Sequence, residues 1–168
     1  MQAPVEVRRF EARDLDALAA AFAPWPKPRE LFERYLAEQG EDRRVVLVAW
    51  REMRVCGYVA VVWTPTYPRF RDEGIPEIQD LNVLPAFCRQ GVGNRLLDEA
   101  ERVAAARSPV VGIGVGLYDD YGAAQRIYVR RGYVPDGLGA SYRDRIVRGG
   151  ETVVMDDDLV LHFTRRPG

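Results

Sequence analysis

The segment of residues 75–104 constrains the fold more strongly than any other part of the sequence. Residues 75–83 predict a strand, and from Val92 onward the apolar residues form one stripe of an amphipathic helix. The connecting residues 88–94, with the sequence CRQGVGN, contain Gly91 and Gly93. A strand, a glycine turn and a helix in succession indicate one unit of an α/β fold.

Gly91 and Gly93 permit the backbone N–H groups of the turn to face an anion at the positive end of the helix. A tight turn that only lets the helix pack explains the same two glycines. Two familiar phosphate motifs fit poorly. A dinucleotide fingerprint requires glycine where Leu96 stands, and a P-loop requires Gly-Lys, whereas Lys27 is the only lysine. The turn by itself leaves phosphate binding and packing both open.

Hydrophobic periodicity and turn residues place the remaining elements. Strands are predicted near residues 5–10, at 45–50 and 55–63 as an antiparallel hairpin, and at 110–115, 152–155 and 159–164. Helices are predicted after Asp14, which is expected to cap the first of them, after Pro28, and over residues 121–131. Residues 64–74 are expected to form a loop because prolines interrupt them. The order predicts a single α/β (α+β) domain over residues 1–168, with a mixed, largely antiparallel sheet and helices on both faces.

The predicted strand at residues 110–115 carries a glycine at every second position. Gly112, Gly114 and Gly116 share one face, because side chains alternate along a strand with a period of two. Glycine weakens a strand unless something approaches the backbone closely. Either a neighbouring helix or a ligand is expected on this face.

The composition argues against several functional classes. Charges of both signs are scattered and the net charge is −1, so nucleic acid is not an expected partner. No run approaches the ~18 apolar residues that cross a bilayer, and the early Glu6 and Arg8 do not fit a secretory segment. The two cysteines, Cys56 and Cys88, fit a reducing compartment. We expect a cytoplasmic protein without a membrane partner.

Two motifs resemble the GNAT superfamily of N-acetyltransferases. The family's coenzyme A loop, Q/R-x-x-G-x-G/A after a Val-x-Pro-like strand end, is similar to residues 81–93. A later family pattern, N-x-x-A-x-x-L-Y-x-x-x-G-F/Y, is similar to residues 121–133. Cys88 stands where the first motif has Gln or Arg, and Tyr121 stands where the second has Asn. On these two motifs the chain is identified as a member of the superfamily.

The resemblance implies acetyl-CoA as cosubstrate, with no metal, and a sheet that splays between its fourth and fifth strands to hold the coenzyme. It implies that the Leu81 N–H holds the oxyanion and that Val83 pairs with the pantetheine arm like an added strand. Further coenzyme contacts are implied for Arg89, Gln90, Gly91, Val92, Gly93, Asn94, Tyr121 and Ala124.

Aminolysis of a thioester requires a neutral amine and a protonated leaving thiolate. An alkylammonium with a pKa of ~10 must first lose its proton to a base. Glu77 stands where one branch of the family has its general base, although a solvated edge-strand glutamate is the alternative. Asp80, expected on the opposite face by alternation, is a second candidate. The resemblance makes Tyr128 the acid for the sulfur, and a core aromatic is the alternative.

The sequence thus predicts an acetyl-CoA-dependent N-acetyltransferase in which a primary amine attacks directly. The acceptor is either a small molecule or a protein amine, and the sequence is compatible with a homodimer. A non-catalytic acyl-CoA sensor and a nucleotide- or flavin-binding module are the alternatives. His162, the only histidine, is expected to be structural, because no cysteine or carboxylate stands at metal-ligand spacing.

Overall fold

The computed structural model describes residues 3–168. Within this range the strands are β1 (Glu6–Arg9), β2 (Arg44–Arg51), β3 (Arg54–Val62), β4 (Glu77–Val83), β5 (Val111–Gly116), β6 (Val134–Tyr142), β7 (Arg145–Ile146) and β8 (Leu159–Arg165). The α-helices are α1 (Leu15–Ala21), α2 (Arg29–Gly40), α3 (Pro68–Glu73), α4 (Val92–Ala105) and α5 (Gly122–Arg130).

The chain divides into two compact units. The first comprises the residues up to Val62 together with Gln79–Val103, and the second comprises Trp63–Ile78 together with Ala104–Gly168. Strand β4 therefore contributes Glu77 and Ile78 to the second unit and its remaining residues to the first. The single domain over residues 1–168 stays a prediction.

In the first unit the strands are hydrogen-bonded in the order β1, β2, β3, β4. The pairs β1–β2 and β2–β3 are antiparallel, which confirms the predicted hairpin. Both hairpin strands are buried along nearly their whole length, as their β-branched and aromatic residues favour. The core of this unit includes Phe22, which follows α1, and Phe32 of α2, both 0% exposed.

Asp14 does not cap α1 as predicted. It precedes the helix, but its carboxylate accepts hydrogen bonds of 2.7 and 2.8 Å from the Arg8 guanidinium and one of 2.9 Å from the Glu11 N–H. The ion pair with β1 engages the oxygens that would otherwise bond to the first turn of the helix.

In the second unit the order is β4, β5, β8, β6, β7. β5–β8, β6–β8 and β6–β7 are antiparallel, whereas β4 and β5 run parallel. The parallel ladder contains only Glu77 opposite Gly112 and Ile78 opposite Ile113, as a splay between these strands requires. The predicted α/β class with a mixed, largely antiparallel sheet is confirmed.

Two predictions about this unit are wrong. Residues 68–73 form helix α3 rather than loop, because Pro68 occupies the first helical turn, Phe70 is fully buried and Gly74 ends the helix at φ 66°. Residues 152–155 form no strand, although they are rich in β-branched residues. Val154 is 62% exposed, and β-propensity stabilises a strand only where the side chains pack on a sheet.

Candidate active site

The turn before α4 has the geometry of an anion cradle. Gly91 has a φ of 80°, in the left-handed region that favours glycine. A Cβ added at Gly91 would meet no atom within 4 Å, and one at Gly93 would meet only Val83, at an ordinary 3.8 Å. Packing therefore does not require glycine at either position, and the space beside the turn is open to a ligand. Helix α4 is 14 residues long, so its first N–H groups carry the full positive end of a helix dipole.

A hollow of about 570 Å³ adjoins this turn. It is lined by Ala3, Pro4, Val5, Arg51, Gln90, Gly91, Asn94 and Arg95. The Arg51 guanidinium donates a hydrogen bond to Gln90, whose amide in turn donates to the Ala86 carbonyl at 2.9 Å. Two guanidinium groups beside a helix N-terminus suit a phosphate. Cys88, the departure from the family motif, is exposed, and its thiol faces the Leu84 carbonyl at 3.6 Å.

Asp80 interrupts the regular geometry of β4. Its φ is 55°, which is uncommon for a residue other than glycine and lies outside the extended range of a strand. The predicted placement of Asp80 on the face opposite Glu77 stays a prediction. Leu81 and Val83, the implied main-chain donors, follow it and are half-buried.

The Asp80 carboxylate lies at the centre of a polar cluster in the first unit, which we call the Asp80 cluster. It accepts hydrogen bonds from the Lys27 ammonium, from the hydroxyls of Tyr35 (2.8 Å) and Tyr58 (2.6 Å), and from the Asn82 amide (2.8 Å). Burial would raise the pKa of Asp80, but the hydrogen bonds and the Lys27 charge outweigh it and lower that pKa. A carboxylate so occupied is a poor proton acceptor.

Glu77 lies in the second unit and is 6% exposed, so it is not the solvated edge-strand glutamate that was the alternative. Its carboxylate oxygen Oε1 is 3.7 Å from Nε2 of His162. Burial lowers the pKa of His162 to about 4, so the imidazole is neutral at pH 7 and the contact is not an ion pair. The distance is also longer than a hydrogen bond.

Aromatic side chains cover the glycine face of β5. A Cβ at Gly112 would lie 2.3 Å from the Phe70 ring, and one at Gly116 would lie 2.3 Å from the Tyr121 ring. One at Gly114 would lie 2.8 Å from Val160 and 3.3 Å from the His162 ring. The sequence predicted either a helix or a ligand on this face. A helix does contribute to it, because Phe70 belongs to α3. These glycines make room for three rings.

His162 is enclosed by its neighbours. The Tyr67 ring stacks on it with centroids 3.5 Å apart, Phe70 meets it edge-on at 5.3 Å, and the Ser141 hydroxyl lies 3.3 Å from Nδ1. Tyr67 also donates a 2.7 Å hydrogen bond to Asp136 and lines a separate hollow of about 650 Å³ in the second unit. Acidic and basic side chains line that hollow in equal number, so its charge does not select an acceptor.

Tyr121 immediately precedes helix α5, and Tyr128 lies within it. Tyr128 is 5% exposed, and burial raises its pKa to about 12, so its hydroxyl carries a proton at neutral pH. Among residues 3–168 that hydroxyl has no hydrogen-bond partner. The Tyr121 hydroxyl, in contrast, donates to Asp157 at 2.8 Å. Ala124 lies half-buried on the same helix.

Comparisons with known proteins agree with this geometry. The sequence matches the acetyltransferase (GNAT) family over residues 12–133, which is more than half of the chain. The chain belongs to the GNAT acetyltransferase family. A search of curated proteins finds no significant match.

Solved structures of GNAT proteins share the fold. The chain is similar to the ribosomal-protein-alanine N-acetyltransferase of Brucella melitensis, with 20% identity, 96% of this chain and 99% of that chain covered, and a TM-score of 0.72. It is similar to a GNAT acetyltransferase of Streptococcus pneumoniae, with 20% identity, 98% and 100% covered, and a TM-score of 0.70. A chimera that includes the spermidine N-acetyltransferase of Vibrio cholerae gives 15% identity, 95% and 93% covered, and a TM-score of 0.66.

Two groups of residues in this GNAT protein come together without a signal in the sequence that was recognised. Lys27, Tyr35 and Tyr58 are far from Asp80 in sequence, and no motif joins them. The enclosure of His162 by Tyr67 was also missed, although the glycines of β5 signalled that large groups approach that strand. Within residues 3–168 no group of three or more His, Cys, Asp and Glu side chains could hold a metal, and no helix is long and apolar enough to cross a membrane.

Proposed function

We propose that this GNAT protein transfers an acetyl group from acetyl-CoA to a primary amine by direct attack of the amine on the thioester. The observation that carries the proposal is the open turn at Gly91, where a left-handed glycine with no packing neighbour precedes a long helix. The residues of that turn, Arg89 to Asn94, and the adjoining Arg51 and Arg95 would hold the phosphates of the coenzyme. Acetyl-CoA supplies the activated acyl group.

Glu77 is the proposed base for the acceptor ammonium. Its burial places a carboxylate out of bulk water, at a fixed position on β4. The alternative base, Asp80, is committed to Lys27 and two tyrosines, and its lowered pKa weakens it as a proton acceptor. We therefore assign amine deprotonation to Glu77, directly or through one water.

The Leu81 N–H is the proposed donor to the oxyanion, and Val83 the proposed partner of the pantetheine arm. A preorganised backbone donor aimed at the developing charge stabilises the transition state without reorganisation. Tyr121 and Ala124 are proposed to contact the coenzyme as well. The ring of Tyr121 fills the β5 face at Gly116, so it would do so in another way than the asparagine of the family motif.

Tyr128 is the proposed acid for the departing thiolate. Its proton is retained at neutral pH, and its hydroxyl has no partner among residues 3–168 that would compete for it. As the amine attacks, the carbon–sulfur bond breaks and the sulfur takes the Tyr128 proton.

Direct attack is favoured over an acyl-enzyme because, among the residues that the structure describes, the two cysteine thiols face backbone carbonyls and not an activating base. Cys56 is fully buried, and burial raises the pKa of its thiol. The two ring nitrogens of His162 face Ser141 and Glu77 rather than a thiol. A cysteine nucleophile needs a lowered pKa or an adjacent base.

The acceptor is a primary amine of a small molecule or of a protein. The structural relatives named above include a ribosomal-protein-alanine N-acetyltransferase and a chimera with a spermidine N-acetyltransferase. An acceptor screen with polyamines, amino acids and alanine-ended peptides, followed by release of free thiol, tests the proposal. Calorimetry with coenzyme A, NAD and FAD accompanies it. Coenzyme A binding without thiol release from any amine would favour the acyl-CoA sensor, and tighter binding of NAD or FAD would overturn the proposal.

A further inference from the structure

Asp80 combines a strained backbone with an unusually constrained side chain. Its φ of 55° lies in the left-handed region, in the middle of a strand. Residues other than glycine keep such a conformation only where the surroundings over-determine it. The Asp80 cluster supplies that constraint, since four donors converge on one carboxylate whose side chain is 19% exposed.

The donors are anchored in different elements of the first unit. Lys27 precedes α2, Tyr35 lies within α2, and Tyr58 lies on β3. Tyr35 is 6% exposed and Tyr58 is 0% exposed, so neither ring can follow a movement of β4 without disturbing the core. The Asp80 side chain is thereby tied to the hydrophobic core at points outside its own strand.

The torsions of Asp80 set the direction of the next backbone N–H, which belongs to Leu81. We propose that Asp80 is a positioning residue, held by Lys27, Tyr35 and Tyr58 so that β4 keeps its left-handed residue and the Leu81 N–H keeps its aim at the thioester oxygen. This inference rests on the proposed function, in which the Leu81 N–H holds the oxyanion.

Stability alone does not account for the choice of residues. Glycine would adopt the same φ without strain, and a buried ion pair is often no more stabilising than well-packed apolar groups of similar size. A carboxylate saturated by hydrogen bonds does, however, fix one conformation of the side chain and with it the backbone. These contacts are therefore expected of a residue whose role is to fix the local backbone conformation of β4.

Three variants separate positioning from the other roles. Asp80→Ala removes the anchor and favours regular strand geometry. Asp80→Gly permits the left-handed φ but removes the anchor. The double variant Asp80→Asn with Lys27→Met removes both charges, while asparagine tolerates the left-handed region and still accepts from the tyrosines. The double variant is the matched control, because it leaves no unpaired charge in the Asp80 cluster.

The decisive measurement needs no acceptor. Amide NMR spectra of the parent are compared with acetyl-CoA and with coenzyme A, which differ only by the acetyl group. We expect the Leu81 amide to shift between the two ligands in the parent and in the double variant. In Asp80→Ala the difference should vanish, while the Gly91 and Gly93 amides still respond to both ligands. If Asp80→Ala does not fold, Asp80→Gly replaces it. In that variant the difference in Leu81 amide chemical shift between acetyl-CoA and coenzyme A should be well below the parental difference.

Turnover with the acceptor found by the screen provides the second measurement. Asp80→Ala should lower kcat by ~10²-fold with the KM for acetyl-CoA within about 3-fold, which is the typical loss for one oxyanion donor. The double variant keeps an acceptor for the two tyrosines, so its kcat should fall less than that of Asp80→Ala. If it instead loses as much as Asp80→Ala and recovers at high pH, Asp80 is a base and the inference is wrong.

The two proposals fail in different ways. If neither ligand shifts Gly91 or Gly93 in the parent, the proposed function is wrong and this inference falls with it. If the cradle responds but the Leu81 difference is the same in Asp80→Ala or Asp80→Gly as in the parent, the proposed function stands and only the positioning role is overturned.

Discussion

The buried histidine predicts a specific loss of stability in mild acid. His162 is 3% exposed, and burial lowers its pKa from an ordinary 6.5 to about 4. The folded chain therefore binds fewer protons than the unfolded chain between these pH values. The contribution of His162 to the free energy of unfolding is complete above pH 6.5 and declines as the pH falls towards 4. In this range the imidazole is protonated in the unfolded state but stays neutral in the folded state.

The size of the effect follows from the two pKa values. Their difference corresponds to ~3 kcal/mol when the decline is complete, and ~2 kcal/mol is lost between pH 7.5 and pH 5. Asp14 and Asp80 do not contribute in this window. Their pKa values are lowered from an ordinary 3.8, so their stabilisation is lost only at lower pH.

Urea unfolding of the parent and of His162→Gln at pH 7.5, 6.5, 5.5 and 5.0 tests this. Glutamine does not titrate, so the difference between the two free energies of unfolding should shrink by ~2 kcal/mol as the pH falls. His162 is the only histidine, so one imidazole resonance reports its pKa directly by NMR. A pKa between 6 and 7, or parallel pH dependence in the two proteins, would refute the reasoning.

Three further predictions concern the proposed chemistry. Gly91→Val should weaken coenzyme A binding by at least ~10-fold in calorimetry, because a β-branched side chain fills the open space and disfavours φ 80°. Glu77→Gln should lower kcat by ~10²-fold at neutral pH and recover partly at high pH, where the amine loses its proton unaided. Tyr128→Phe should lower kcat by ~10²-fold with little change in acetyl-CoA affinity or melting temperature, because it deletes only the hydroxyl.

Each of these has a matched control in the chain. Gly150 also has a positive φ of 88° and open space, so Gly150→Val carries the same backbone strain and should bind coenzyme A normally. Glu101 is as buried as Glu77, and Glu101→Gln should keep its pH–rate profile. Tyr142→Phe removes a hydroxyl that bonds Asp156 and should keep turnover. Parental binding by a folded Gly91→Val, an unchanged profile in Glu77→Gln, or full turnover in Tyr128→Phe would remove the respective residue from the proposal.

Local patterns predicted the parts of the fold that depend on local interactions. The hairpin of β2 and β3, the turn at Gly91 and the stripe of α4 all follow from period and turn chemistry. Helix α3 was missed because it is six residues long and depends on burial of Phe70, which no local pattern reports. The false strand at residues 152–155 has the composition of a strand but no sheet to cover it.

The sequence predicted the residues of the candidate site that belong to motifs. It did not predict the side-chain contacts that support them. The glycines of the turn and the position of Tyr128 carry a local signature. The left-handed Asp80 does not, because aspartate occurs in all backbone regions and its constraint comes from Lys27 and Tyr58, distant in sequence. The rings that cover the β5 glycines are likewise drawn from separate segments.

The placement of Lys27 has a consequence for self-modification. A thioester at the cradle is reactive towards any unprotonated amine, and guanidinium groups do not lose their protons in proteins. Lys27 is the only side-chain amine, is 20% exposed, and its ammonium donates a hydrogen bond to the Asp80 carboxylate. The chain thus offers its acyl donor almost no side-chain amine of its own, so the amide formed in an assay comes from the added acceptor.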